Sequence, residues 1–533
     1  MRAIVSILAG LAAFAPAHLA AQSDESDRVQ KGPTPGWVSI SEPLAVPDDA
    51  TGLVFIRRQD TLVRLHDEGQ TLFTSQLTRL LHPQALQAGN ISIAWNPAVG
   101  DPTVHGVRIH RGATMIDVLD KTGFEILRRE DNLEQSMLDG ILTAVLRVPD
   151  LRVGDDLEVA YSVPSHDPTL RDESFGILFL ADTPPPGRLR VGLSWDDGQE
   201  PTVRMTDDIS AMVTRTGNAI EVAADNLPIL TAPQNAPPRY SWQRILQYSD
   251  FDDWQSVSRR FHPLYMEAAE LGDRSPIISE TDRISVEHSS DIDKMQAALE
   301  FVQRQVRYVY VGLNSGNLTP IGADETWERR YADCKGKTVL LLAMLEELGI
   351  EAEAVLVNTS GLDDGLDERL PTPGMFDHVL VRANVDGRTY WLDGTLPDVV
   401  VADTTPILPY RWVLPLSAKG SRLEPVDQKP FALPQEMGLI EIDAREGFDV
   451  PARQKWVQVA RGVEGLAQYM QLSALTKDQI LTAWRNGLTG KSEWQTVDSV
   501  SYRYDKETRA SILEIEGTAD VDWDDDGDGR RSL

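Results

Sequence analysis

Hydrophobic and polar residues alternate along the first half of the chain in the manner of β-strands. Apolar side chains recur at every second position over residues 157–163 and again over 189–195, which is the period of a strand that buries one face. A Gly-Asn pair at 217–218 separates two short apolar runs and is typical of a tight hairpin turn. Many short strands with turn signals between them favour a β-sandwich or a twisted antiparallel sheet. We therefore predict a β-sandwich-like, β-rich domain over residues 51–230, after an N-terminal extension over residues 22–50.

The hydrophobic period changes after a proline-rich stretch. Residues 231–240 contain three prolines, which interrupt helix and sheet alike, so we predict a linker there. Apolar residues then follow at spacings of three and four, which is the pattern of one helical face. This stripe consists of Ile292, Met295, Leu299, Val302 and Val306.

A second helix is predicted over about residues 335–348, where most side chains are apolar. Asp333 is suited to cap the start of this helix, and Gly349 is suited to the left-handed conformation that ends one. Strand patterns follow at 378–381 and 390–392. A helix laid against an antiparallel sheet defines an α+β core.

The length of the chain agrees with several domains. At about 150 residues per domain, the 533 residues suggest three to four. We assign the α+β core to residues 241–430 and a mixed α/β C-terminal region to residues 431–533. This last region mixes strand and helix patterns and includes an acidic tail over residues 522–528.

Composition and charge exclude several partners and sites. The formal net charge is −31 at pH 7, which argues against a nucleic-acid partner and against docking on an anionic lipid surface. The chain has one cysteine, Cys334, so an internal disulfide and a four-thiolate zinc site are excluded. No motif in the sequence calls for a cofactor.

The first residues have the pattern of a secretory signal peptide. A short basic start precedes an apolar stretch, and small residues at 20–21 precede a polar run. A membrane anchor is the alternative, but the apolar stretch is shorter than the roughly 20 residues that span a bilayer. We therefore predict a signal peptide over residues 1–21, a periplasmic or secreted mature protein, and no membrane span after cleavage.

Cys334 occupies a position that favours nucleophilic chemistry. It lies at the predicted start of the strong helix, where free backbone N–H groups and the helix dipole favour thiolate over thiol. Lys335 and Lys337 add to this effect, whereas the carboxylate of Asp333 opposes it. The same N–H groups are suited to an oxyanion hole.

A base and an orienting carboxylate follow Cys334 along the chain. His378 is the only histidine after Cys334, and Asp393 ends the next predicted strand. If these two strands pair antiparallel, the imidazole and the carboxylate lie within reach of each other. Separately, a buried cysteine, a structural histidine and an Asp-Gly turn are all ordinary features. Together and in this order they are the parts of a Cys-His-Asp acyl-transfer site.

Several motifs of this region resemble those of the transglutaminase-like superfamily. The resemblance covers roughly residues 290–400 and is carried by five stretches: Tyr331–Lys335, Leu340–Leu342, Leu348–Ala352, Phe376–Val379 and Tyr390–Asp393. The β-rich region before them also resembles an uncharacterised N-terminal domain found ahead of this core in a group of exported bacterial proteins. That second likeness depends on layout and strand pattern, not on a motif.

The resemblance implies a papain-like fold and acyl transfer without a cofactor. Carried over by motif position, Cys334 is the nucleophile, His378 the base and Asp393 the orienting residue. Members of the superfamily transfer acyl groups to amines, or to water as peptidases and amidases. They also use an oxyanion side chain upstream of the cysteine, and three candidates for it remain open here: Trp327, Tyr308 and Gln305.

The sequence leaves the reaction partner and one other function class open. A peptide, a protein or a cell-wall amide fits a site of this kind, and the oligomeric state has no signal in the sequence. A non-catalytic peptide- or glycan-binding scaffold that retains the core is the alternative to an enzyme. Asp524, Asp526 and Asp528 match half of a calcium loop, which raises a calcium-dependent adhesion module as a third reading. We expect a solvated acidic tail there instead, and no metal site.

Overall fold

The computed structural model describes ten stretches of the chain: residues 28–128, 141–167, 169–170, 173–180, 184–231, 233–309, 318–430, 432–489, 494–525 and 531–532. The predicted signal peptide lies outside the described residues. Among the residues that are described, no helix combines the length and the apolar character needed to cross a membrane.

The N-terminal half is built almost entirely of strands, as its alternating pattern predicts. Its described elements, in chain order, are β1 (Gln30–Lys31), β2 (Val54–His66), β3 (Gly69–Leu80), β4 (Asn90–Trp95), β5 (Thr103–Arg111), β6 (Thr114–Asp117), β7 (Glu125–Arg128), β8 (Leu142–Arg147), β9 (Asp156–Ser165), β10 (Phe175–Phe179), β11 (Arg188–Trp195), β12 (Thr202–Met205), α1 (Asp207–Ser210), β13 (Val213–Arg215), β14 (Ala219–Asp225) and β15 (Ile245–Ser249).

These strands form one large sheet and two small ones. The large sheet has nine strands in the order β1-β5-β9-β3-β2-β11-β14-β13, with β6 paired to β5. It is mixed and not purely antiparallel, because β1 pairs with β5 and β2 with β11 in parallel. The small sheets run β4-β8-β7 and β10-β15-β12. The predicted hairpin turn at 217–218 joins β13 to β14.

The described part of the N-terminal extension lies against the nine-stranded sheet. The ring of Trp37 meets that of Phe73 edge-on, with 6.3 Å between centroids. The hydroxyl of Ser41 donates to the fully buried carboxylate of Asp60 at 2.7 Å. This extension therefore shields one face of the sheet from solvent.

The central part of the chain has the predicted α+β character. Its described elements are α2 (Trp254–Ala269), α3 (Pro276–Glu287), α4 (Asp291–Gln305), β16 (Arg307–Tyr308), α5 (Ala323–Arg329), β17 (Tyr331–Ala332), α6 (Cys334–Glu347), β18 (Glu351–Val357), β19 (His378–Val385), β20 (Arg388–Leu392), β21 (Trp412–Pro415) and β22 (Glu424–Pro425). The sheet has five strands in the order β20-β19-β18-β21-β22, and every pair in it is antiparallel.

Helix α6 is the centre of this core. Its apolar residues occupy nearly all sides, and its residues from Cys334 to Leu345 are all buried. A helix that is hydrophobic all round has to be enclosed by other elements, and α6 packs on β18 and β19 and against α2, α3, α4 and α5. Its first residue is thereby held at a fixed place beside the sheet.

The C-terminal region is a four-stranded antiparallel sheet with two helices. Its described elements are β23 (Glu436–Asp443), β24 (Ala452–Arg461), α7 (Gly462–Ser473), α8 (Lys477–Leu488), β25 (Trp494–Asp505), β26 (Ala510–Ala519), β27 (Asp524–Asp525) and β28 (Arg531–Ser532). The strand order of the larger sheet is β23-β24-β26-β25. In the acidic tail, β27 pairs with β28, and Asp526 and Asp528 lie outside the described residues.

Candidate active site

Cys334 is the first residue of α6, as the capping pattern predicts. The carboxylate of Asp333 accepts the backbone N–H of Gly336 at 3.0 Å and so caps the helix. The side chain of Cys334 is fully buried. The backbone N–H of Cys334, at the first position of the helix, has no intrahelical acceptor, so the helix start offers a donor beside the thiol.

His378 and Asp393 lie on neighbouring antiparallel strands, at the same end of the sheet. Strands β19 and β20 pair with Val381 opposite Leu392. Asp393, the residue after β20, is therefore level with Leu380, on the same face of the sheet as His378. The Nε2 atom of His378 lies 2.8 Å from Oδ2 of Asp393. The second oxygen, Oδ1, accepts the backbone N–H of Thr395 at 2.9 Å and its hydroxyl at 2.6 Å. The carboxylate is therefore fixed on both sides.

The imidazole of His378 links this carboxylate to the thiol. The side chain of Cys334 acts on this imidazole from the other side, and because Nε2 faces Asp393, Nδ1 is the ring nitrogen left for sulfur. Burial by itself lowers the pKa of His378, but the charges and hydrogen bonds of Asp393 and Cys334 hold that pKa above its ordinary value of 6.5. Burial likewise raises the pKa of Asp393, but the charge and hydrogen bond of His378 reverse this and lower it.

The two lysines after Cys334 play a different part from the one predicted. Both side chains are buried. The ammonium of Lys335 pairs with the carboxylate of Asp333, so the two charges expected to act on the thiol in opposite directions largely cancel. The ammonium of Lys337 donates to the carbonyl of Val306 at 2.6 Å. Burial lowers the pKa of Lys337 to about 8, against the opposing charge of Asp393.

The structure separates the three oxyanion candidates by their surroundings. Tyr308 lies in β16 and pairs with Ala332, two residues before Cys334. The indole of Trp327 is stacked on Phe301, with 4.7 Å between centroids, and carries the guanidinium of Arg330 over its ring. Gln305 is exposed at the end of α4. Of the three, Tyr308 is the one whose backbone is paired to the strand leading into Cys334.

Two residues near the site have no signal in the sequence. Gln303, two residues before Gln305 on α4, donates through Nε2 to the carbonyl of Asp393 at 3.2 Å. Tyr265 on α2 is buried, and its hydroxyl finds no hydrogen-bond partner among the residues that the structure describes. Burial, together with the charges of Cys334 and Asp333, raises the pKa of Tyr265. Both residues reach the site only through helix packing, which no local motif encodes.

The described residues contain no group of three or more His, Cys, Asp or Glu side chains placed to hold a metal ion. A small cavity of about 20 Å³ has Asp393, Tyr410 and Arg509 in its lining. The site brings together a thiol, an imidazole and a carboxylate, and the last two are joined by a hydrogen bond; these are the groups needed for nucleophilic acyl transfer.

Comparison with family models matches one part of the chain. A family model described as a domain of unknown function with a solved structure (DUF3857) matches residues 66–229, the greater part of the predicted β-rich domain. This agrees with the expected likeness of that region to an uncharacterised domain. No curated protein sequence matches the chain.

One solved structure resembles nearly the whole chain. It is a protein of Parabacteroides distasonis, provisionally described as a protease, with a TM-score of 0.55 and 14% identity over 89% of this chain and 94% of that chain. At that identity the likeness shows a common fold.

Two further structures match weakly. A protein of Cytophaga hutchinsonii, provisionally described as a cysteine protease, has a TM-score of 0.15 and 10% identity over 61% of this chain and 75% of that chain. Red sea bream transglutaminase has a TM-score of 0.20 and 10% identity over 75% of this chain and 68% of that chain. These two scores are too low to carry an argument about this chain.

Proposed function

We propose that this protein is an exported, transglutaminase-like cysteine enzyme that transfers acyl groups through Cys334, His378 and Asp393. The observation that carries the proposal is the 2.8 Å hydrogen bond between Asp393 and His378 next to the buried thiol of Cys334, whose side chain helps to raise the pKa of that imidazole. The substrate class is an amide of a peptide, a protein or the cell wall, and the acceptor is water or an amine.

The chemistry assigns one task to each side chain. The thiolate of Cys334 attacks the carbonyl carbon, and the C–N bond breaks as His378 gives its proton to the leaving amine. The resulting thioester is cleaved by water or a second amine, whose proton returns to His378. Asp393 keeps the imidazole in one tautomer and orientation, and it stabilises the imidazolium. The backbone N–H of Cys334 at the start of α6 stabilises the oxyanion.

A non-catalytic scaffold that retains the core remains the second candidate, because of one specific observation. Cys334 has no exposed surface, and a buried thiol that meets no substrate behaves as a small hydrophobic residue. The scaffold requires an ordinary thiol beside a neutral imidazole. The enzyme requires a thiolate beside an imidazolium, so the ionisation of Cys334 discriminates between them.

The test is a pH titration of the thiolate by its ultraviolet absorbance. Because Cys334 is the only cysteine, the Cys334→Ala variant gives a direct blank, and the readout does not depend on reagent access to a buried thiol. We expect thiolate to be present already near about pH 6 in the wild type, well below the roughly 8.5 of a free cysteine. His378→Ala should move the titration upward, because the imidazolium is lost.

Asp393→Asn is the matched variant for the third residue. It should change the thiolate titration less than His378→Ala does, and reduce turnover more, because it alters the tautomer of the imidazole and not the presence of the ring. Identical wild-type and His378→Ala curves centred near about pH 8.5 would mean that the two side chains do not interact. The scaffold would then be the better interpretation.

A further inference from the structure

The segment that leads into His378 lies against the N-terminal half of the chain. This approach segment (residues 366–377) follows β18 by sequence and ends where β19 begins at His378. Its neighbours are the strands of the three-stranded sheet β10-β15-β12. Strand β15 lies after the proline-rich stretch at 231–240, so the chain returns to the N-terminal sheets before it enters α2.

Strand β15 holds the middle of the approach segment through two hydrogen bonds. The hydroxyl of Ser249, which is fully buried, donates to the carbonyl of Pro371 at 2.6 Å. The backbone N–H of Leu370 donates to Oε1 of Gln247 at 3.4 Å. These bonds satisfy backbone groups that would be costly to bury unpaired.

The two outer strands hold its ends. Arg204 on β12 donates through its guanidinium to the carbonyl of Glu368. On β10, the ring of Phe175 lies so close to Gly374 that a Cβ atom there would be 2.8 Å from the ring. Each of the three strands therefore contacts the approach segment.

The chain just before β15 also contacts the loop that precedes the approach segment, as well as the approach segment itself. The buried carboxylate of Asp364 accepts the backbone N–H of Arg239 at 3.0 Å and its guanidinium at 2.7 Å. The guanidinium of Arg369 lies over the ring of Trp242, 4.2 Å from its centroid. The loop ahead of His378 is thus docked on the N-terminal half over most of its length.

The contacts reach the imidazole over a short, rigid stretch. Only three residues separate Gly374 from His378. The carbonyl of Met375 accepts the amide of Asn358 at 2.9 Å, and Phe376 is buried and meets Trp254 edge-on. Because these residues are held in place, a displacement at Gly374 should be transmitted to the imidazole of His378.

We propose that the sheet β10-β15-β12 is a positioning element for His378, so that the N-terminal half sets the geometry of the Cys334–His378 pair through the approach segment. This inference rests on the function proposed above. In this interpretation the β-rich half contributes to catalysis by positioning His378, although none of its own residues touches the reacting atoms.

The test uses the full chain and the thiolate titration of Cys334. Gly374→Ala adds a Cβ that meets Phe175 and should push the approach segment off the sheet. We expect the titration to move upward, with about tenfold less thiolate at pH 6, which corresponds to about one pKa unit. Gly123→Ala is the matched control, because a Cβ there meets nothing within 4 Å.

A compensating change separates positioning from a general loss of folding. Phe175→Leu shortens the ring that the new Cβ meets, so Gly374→Ala combined with Phe175→Leu should return the titration toward the wild-type curve. Ser249→Ala deletes the hydrogen bond to Pro371 and the one that Oγ accepts from the N–H of Phe251, and it adds no bulk. It should shift the curve by a smaller amount, about threefold at pH 6. It keeps the inference testable if Gly374→Ala does not fold.

The outcomes distinguish this inference from the proposed function. If the wild type ionises near pH 6 and folded Gly374→Ala and Ser249→Ala give the same curve as the wild type, the positioning role is wrong and the catalytic pair stands. If the wild type itself ionises only near about pH 8.5, the proposed pair fails, and the positioning role fails with it. A shift in Gly374→Ala that Phe175→Leu does not reverse also overturns the role of this sheet.

Discussion

At the scale of single residues, the site is a set of buried charges that stabilise one another. Cys334, His378 and Asp393 are all less than a tenth exposed, and burial by itself disfavours the charged form of each group. The hydrogen bonds between them reverse that preference for His378 and Asp393. The position of His378 relative to Asp393 therefore also sets the ionisation of these two side chains.

Lys337 offers a prediction on pH dependence. Its folded-state pKa of about 8 lies below the ordinary 10.5, so between these values the unfolded chain binds more protons than the folded one. Stability should therefore rise with pH across this window. Relative to Lys337→Met, the wild type should gain up to about 3 kcal/mol between pH 8 and pH 10.5.

The measurement is urea unfolding of both proteins at the two ends of that window. Lys477→Met, at the exposed first turn of α8, controls for the loss of a lysine as such. An equal difference between the wild type and Lys337→Met at both pH values would show that burial does not perturb this ammonium.

At the scale of elements, α6 brings the site together because it is enclosed on nearly all sides. Its sequence has no polar face over the buried stretch, so its position is set by the helices and the sheet around it. In the same way, the antiparallel register of β19 and β20 determines the relative positions of His378 and Asp393. A slip of one residue in that register would send one of the two side chains to the other face.

Asp333 has two tasks at the start of α6 that substitutions can separate. Asp333→Asn keeps a good N-cap but removes the carboxylate that pairs with buried Lys335. We expect it to cost about 3–5 kcal/mol of unfolding free energy, as the loss of one partner of a buried ion pair does. Asp333→Ala should cost about 1 kcal/mol more, because it also removes the cap.

Ser290→Asn is the matched control for this prediction. Ser290 caps α4 at an exposed position through its hydroxyl, which accepts the N–H of Asp293 at 3.1 Å. Exchanging one good cap for another there should change the unfolding free energy little. A cost for Asp333→Asn no larger than for Ser290→Asn, both by urea unfolding, would mean that the ion pair contributes nothing.

At the scale of the whole molecule, the regions on either side of the core both contact segments close to His378 and Asp393. The N-terminal sheet holds the approach to His378. From the C-terminal region, Arg509 pairs with the carboxylate of Asp403 and donates to the carbonyl of Thr405 at 2.9 Å. The carbonyl of Asp403 accepts the N–H of Trp391 at 2.8 Å, two residues before Asp393.

Export is the prediction that concerns the whole chain. We propose that residues 1–21 are removed as a signal peptide and that the mature protein acts in the periplasm or outside the cell. Cleavage there spares β1, which pairs through Gln30 and Lys31 with β5. Mass spectrometry of the protein from its native source should find an N-terminus near Gln22. An intact Met1 would contradict the proposal.

The sequence by itself determined the elements and the order of the chemical groups. Period-2 alternation predicted β9 and β11, since side chains alternate across a sheet. The capping pattern predicted the start of α6 within one residue, and of the predicted α4 stripe only Ile292 in the first turn is well exposed. Cys334, His378 and Asp393 could be named together because adjacent strands bring the last two together through a short connection.

Only the tertiary structure decided what surrounds those groups. The two lysines after Cys334 look like surface cations in the sequence, yet their burial depends on α4 and on the packing of α6. Tyr265 is packed near Cys334, which lies far along the chain from it. Gln303 bonds to Asp393, 90 residues away, and Ser249 bonds to Pro371, 122 residues away. Local patterns record the period of an element and its ends, because those depend on neighbouring residues. Contacts between elements depend on how whole faces pack together, which no local window of sequence contains.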